Sequence, residues 1–119
     1  MQYMSIIRGV ENQGVPPQAL QDAIEAHVTQ SLQNGTMVQA GGLGSSTTGA
    51  RIRIQGGKLS VTDGPFTESK EVIGGWGITA DTSREAVIEG ALALMRLHLE
   101  LWPEWQGECE IREVVYLGP

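Results

Sequence analysis

One cysteine, Cys109, occurs in 119 residues, so no internal disulfide can form. With two histidines beside it and no metal-ligand spacing among the three, no zinc or other metal site is expected. Lys and Arg total 8 against 14 Asp and Glu, a net charge of −6. That balance excludes nucleic acid and an anionic membrane surface as expected partners, because both need a concentrated positive patch. No apolar run approaches the roughly 20 residues of a membrane helix. The start, MQYMSIIRGVE, lacks the basic region of a signal peptide. A glycine-rich GGLGSS follows a strand-like run, yet it has neither GxGxxG spacing nor a P-loop lysine. No Ser-His-Asp order stands out either. These absences predict a soluble cytoplasmic protein that works without a cofactor.

What is present fits one domain over residues 1–119, long enough to build a core without staples. Tyr3 to Arg8 is β-branched and apolar, as a strand requires. Pro16 and Pro17 suit a helix start, and Leu20, Ile24, Val28 and Leu32 recur at helical spacing up to Asn34-Gly35. A second strand follows in TMVQAGGL. Then ARIRIQ and KLSV, joined by Gly56-Gly57, form a strong hairpin pattern. GGWGITA reads as a further strand. Asp81, Thr82 or Ser83 can cap a second helix with an apolar stripe of Val87, Ala91, Leu94, Met95, His98 and Leu101, which Pro103 ends. CEIREVVYL is the last strand. With the hairpin set aside the order is βαββαβ, the ferredoxin-like split βαβ arrangement of an α+β protein. Both helices would lie on one sheet face, and 5% aromatics leave little to cover the other. A second subunit is the simplest cover, so a homodimer is expected.

The stretch VTDGPFTESKEVIGGWG, Val61 to Gly77, carries the candidate site. Strand alternation puts Leu59, Val61 and Asp63 on one face, so a carboxylate continues an apolar row. Aimed at a core or cleft, it must be paired, hydrogen-bonded or protonated. Two readings follow: an acid/base group or polar anchor, or an Asx-type turn in which Asp63 accepts N–H bonds from the loop beyond it. The two are compatible. Gly64 and Pro65 shape the backbone. Phe66, the sole Phe, either pins the loop or walls a pocket. Trp76 sits among glycines as a packing residue or a ligand platform. His27 falls near the apolar stripe of the first helix and His98 near that of the second. A lone His there is more often a packing residue than a catalyst. Arg8, on the Met4–Ile6 face of the first strand, or Arg112 in the last strand can pair with Asp63, which would lower its pKa.

TDGPFTESKEVIGGW closely resembles the signature of the DGPF branch of the YCII-related proteins, and the resemblance extends from QYMSIIRG to ECEIREV. It implies a dimeric α+β barrel of ferredoxin-like subunits. It also implies a His–Asp pair in a cleft as the active site, with Asp63 as the acidic member and His27 as the histidine. Site roles for Glu68 and Lys70 rest on the same motif, and ligand-binding candidates therefore comprise Arg8, Gly64, Pro65, Phe66, Glu68, Lys70 and Trp76. Association with sigma factors in some relatives adds regulation. Three functions stand: a cofactor-independent enzyme acting on a small organic molecule, a non-catalytic small-ligand binder, and a regulatory interaction protein. A pocket joining Asp63 to His27 favours the first. A pocket at Phe66 and Trp76 favours the second, and an exposed apolar patch favours the third.

Overall fold

The computed structural model describes residues 1–10, 12–66 and 71–117. Among them the elements follow as β1 (Tyr3–Val10), α1 (Gln18–Gln33), β2 (Met37–Gly42), β3 (Ala50–Gln55), β4 (Lys58–Asp63), β5 (Glu71–Thr79), α2 (Arg84–Leu101) and β6 (Gly107–Glu113). A 3₁₀ turn, Ser46–Thr48, precedes β3. β2-β5-β1-β6 form one antiparallel sheet, while β3 and β4 pair only with each other. The fold is α+β, and its strand order is compatible with a ferredoxin-like arrangement carrying an inserted hairpin.

Local chemistry explains the boundaries. α1 starts just after Pro17, and the Asn34 N–H closes it on the Gln30 carbonyl at 2.9 Å. Ser83 caps α2 by accepting from the Ala86 N–H at 3.2 Å, with Glu85 in the first turn, where the helix dipole favours an acid. Gly56 and Gly57 have φ of 58° and 74°, the pair of positive values a type I′ hairpin turn needs. β6 is shorter than its apolar run suggests, stopping at Glu113 rather than Leu117. Its partner β1 begins at Tyr3, which faces Glu113, and one last bond, from the Val114 N–H to the Gln2 carbonyl at 2.9 Å, ends the pairing there. In β5 the pairing passes from Ile7–Gly75 to Arg8–Ile73, leaving Gly74 as an extra bulge residue.

Both helices lie on one face of the sheet, where Ser5, Thr79 and Cys109 meet residues of α1 and α2. The core is there: Leu20 and Val87 are the buried apolar side chains among the described residues, joined by Thr79 and His98. His98 is a packing residue. Its Nδ1 is 3.0 Å from the Leu94 carbonyl, and its ring centroid is 4.7 Å from that of Trp105.

The opposite face has no helix. Met4, Ile6 and Arg8 of β1 lie there beside Trp76 and Ile78 of β5 and Glu110 and Arg112 of β6. Glu110 binds both arginines: Arg112 donates at 2.9 Å and Arg8 from its other side. The bond from Arg112, then that from Arg8, hold the Glu110 carboxyl below the usual glutamate range. A lowered native pKa stabilises the fold above the unfolded value of about 4.3, and that contribution is lost as pH falls through the native value. Glu110→Gln should therefore remove a small contribution that is present at neutral pH and flatten the profile below about pH 4.3, so that the two proteins converge at acid pH; the effect is small because the pair is solvent-accessible. Urea unfolding of both proteins between neutral and acid pH checks this; parallel profiles would refute it.

Candidate functional site

The sequence-selected residues fall in three places. His27, on the inner side of α1, lines a cavity of about 250 Å³ between the helices and the sheet. Its walls are Ser31 from α1, Val87, Ala91 and Leu94 from α2, and Ser5, Met37, Thr79 and Cys109 from the sheet, with Asp81 at the rim. Most of this lining is apolar, with a few convergent polar groups, the usual makeup of a small-molecule site. Thr79 is committed to structure, its Oγ1 accepting from the Tyr3 N–H at 3.0 Å. Burial pushes the Cys109 thiol up, against the weaker opposing pull of bonds to Ser5 and the Ile6 backbone. Cys109 is thus a protonated wall of the cavity at neutral pH, not a ready nucleophile.

Phe66 lies elsewhere, in an open groove of about 710 Å³ formed by the Leu43–Gly49 loop, Asn12–Gly14 and the Val72–Gly74 stretch of β5. The Arg51 guanidinium stands 4.1 Å over its ring centre, a cation–π contact. Gly64 anchors the loop, its N–H donating to the Gly49 carbonyl at 2.9 Å. A Cβ at Gly64 would overlap the Ser46 carbonyl, so only glycine fits there. The Gly64–Pro65 bond is cis, and Pro65 is exposed. Glu68 and Lys70 lie outside the described residues.

Arg8 and Trp76 occupy the third place, the helix-free sheet face. Trp76 is half-buried, its ring against the Gly41 backbone so closely that a Cβ at Gly41 would be 3.1 Å away.

Asp63 requires a correction. Its face is that of Leu59 and Val61, as alternation implies, but that face is exposed along all of β4. The hairpin does not pack on the body, so the carboxylate points to solvent and not into a core. No described residue bonds it, so the Asx turn is not formed within them. Arg8 and Arg112 both engage Glu110 instead. Nor is Asp63 among the residues lining the His27 cavity. Within one chain the two members of the expected pair stand at separate features. Ser5, Ser31 and Asp81, which do surround the cavity with His27, carry no motif. Only the strand register and helix packing bring them together.

A family model, the YCII-related domain, matches residues 1–115. The chain belongs to the YCII-related family. A search of curated proteins returned no match. Among solved structures, a de novo designed protein, Foldit4, is similar to this YCII-related chain, with a TM-score of 0.51 over 97% of this chain and 100% of that one. At 13% identity that likeness concerns the fold alone. Among the described residues no group of His, Cys, Asp and Glu is arranged to hold a metal, and no helix is long and apolar enough to cross a membrane.

Proposed function

We propose that this YCII-related protein, of the DGPF branch, binds a small and largely apolar organic molecule in the cleft between sheet and helices, with His27 as the group that exchanges a proton or hydrogen bond with it. The observation carrying this reading is an imidazole set into a mostly apolar cavity that both helices and four strands complete. An imidazole can take or give a proton near neutral pH, and apolar walls strengthen its bond to a bound polar group. The reading needs no cofactor. It departs from the Asp63–His27 pair, assigning Asp63 to the hairpin end.

A second reading, non-catalytic binding in the Phe66 groove, draws support from the Arg51–Phe66 contact at its wall. There a ligand would meet Phe66 together with the backbone and side chains of the Leu43–Gly49 loop.

A thermal-shift screen of a fragment library against the wild type, His27→Ala and Asp63→Asn separates the two. A ligand bound to the native state raises the melting temperature by mass action, by about 2.7 kcal/mol of stability at a hundredfold excess over its Kd. Hits are expected to stabilise the wild type and Asp63→Asn but not His27→Ala. They should also slow the reaction of Cys109 with a thiol reagent, since it is the chain's sole cysteine and lines the same cavity. Hits that survive His27→Ala and vanish in Phe66→Ala would move the site to the groove.

A further inference from the structure

The walls of the His27 cavity carry hydrogen-bonding groups but little charge. Among the described residues no lysine or arginine lines it. The sole carboxylate of the lining, that of Asp81, is 83% exposed at the rim and is bonded by the Met1 amino group. An anionic group brought inside would therefore meet no opposite charge. A cation would find its counter-charge out at the rim, where solvent and salt weaken the attraction. A charge buried without a partner is strongly disfavoured in either case.

The polar side chains of the lining suit a neutral group instead. The His27 imidazole, when neutral, offers one donor and one acceptor. Ser31 donates its hydroxyl proton to the His27 carbonyl at 2.9 Å, so its remaining capacity is to accept. Thr79 Oγ1 accepts from the Tyr3 N–H at 3.0 Å and still carries its own proton. An amide or a hydroxyl both donates and accepts, so it can satisfy both kinds of partner. A carboxylate has no proton for Ser31, and an ammonium has no lone pair for Thr79.

The volume sets the size. An apolar cavity of about 150 Å³ takes a benzene molecule. The His27 cavity, at about 250 Å³, therefore holds one six-membered ring with a short substituent. Met37 of β2 and Val87, Ala91 and Leu94 of α2 supply the apolar walls for the ring.

We infer that the cleft selects a neutral molecule of one ring bearing a short amide or hydroxyl group, and discriminates against its carboxylate and ammonium counterparts. This rests on the ligand-binding reading of the His27 cleft and adds the charge and size of what enters it.

Four probes of similar shape test it: benzamide, benzyl alcohol, benzoate and benzylamine. Each is titrated at neutral pH into the full chain, labelled with ¹³C at its methionine methyls and followed by NMR. Met37 lines the cavity and Met4 lies on the helix-free face, so a shift at Met37 without one at Met4 reports binding in the cleft. Benzamide and benzyl alcohol should saturate the Met37 shift with dissociation constants about tenfold or more below those of benzoate and benzylamine. Gly90 lines the cavity and a Cβ there meets nothing within 4 Å, so Gly90→Leu adds bulk at the cavity without a clash in the fold. That variant should lose the Met37 response while keeping its circular dichroism spectrum. Benzoate or benzylamine binding as tightly as benzamide, with loss in Gly90→Leu, would overturn the charge selectivity and leave the cleft reading standing. Benzamide shifts that survive both Gly90→Leu and His27→Ala, or that appear at Met4 instead, would place the site elsewhere and overturn both. A Met37 methyl unmoved by all four probes would overturn the one-ring class.

Discussion

Leu20→Ala is expected to lower the free energy of unfolding by about 2–5 kcal/mol, the range for deleting a fully buried leucine. Leu20 is 1% exposed, the most completely enclosed side chain among the described residues, and it is the buried residue of α1. Among the described residues Val87 is the other buried apolar side chain, so Leu20 is a large share of the core. Leu32, on the same stripe twelve residues on, is 42% exposed and should lose far less on truncation. Urea unfolding at one fixed protein concentration compares the two variants. Equal losses would show that α1 does not seat the core through Leu20.

Gly64→Ala is the second large effect, of about 1–3 kcal/mol or more, because the added methyl meets main chain and no rotamer change can relieve it. The obstacle is the Ser46 carbonyl of the 3₁₀ turn, and the nearby Gly64 N–H to Gly49 carbonyl bond ties the same two segments. The substitution must push the turn away from the base of β4 and open the wall of the Phe66 groove. Gly90→Ala is the control. A Cβ there meets nothing within 4 Å, and in the middle of α2 alanine should stabilise by up to about 1 kcal/mol. If thermal unfolding shows the two alanines to be equally mild, the turn is not locked to Gly64.

Much of the architecture is legible in the residues because it is local. The Leu20-Ile24-Val28 stripe, the Ser83 cap, Pro103 and the Gly56-Gly57 turn each act within a few positions, and the observed elements follow them. Helical spacing also points His27 in the direction of Leu20 and Ile24, which is the side that lines the cavity. Alternation likewise puts Asp63 on the face of Val61. What alternation lacks is any statement of what lies opposite that face, which is exposed along all of β4. The remaining site geometry is set by register. Arg8 reaches Glu110 only because β1 and β6 pair with Ile6 opposite Glu110, and Ser5 reaches Cys109 through the same ladder. Such pairings join residues about a hundred positions apart, and no short pattern records them.

The ladder between β2 and β5 has one more consequence. Gly42 stands opposite Gly75 across that ladder. Between them, β3 and β4 pair only with each other, and the chain rejoins the four-stranded sheet where Glu71, Val72 and Ile73 pair with β1. Relatives can therefore lengthen, shorten or reshape the hairpin over evolutionary time without rebuilding the strands that line the His27 cavity.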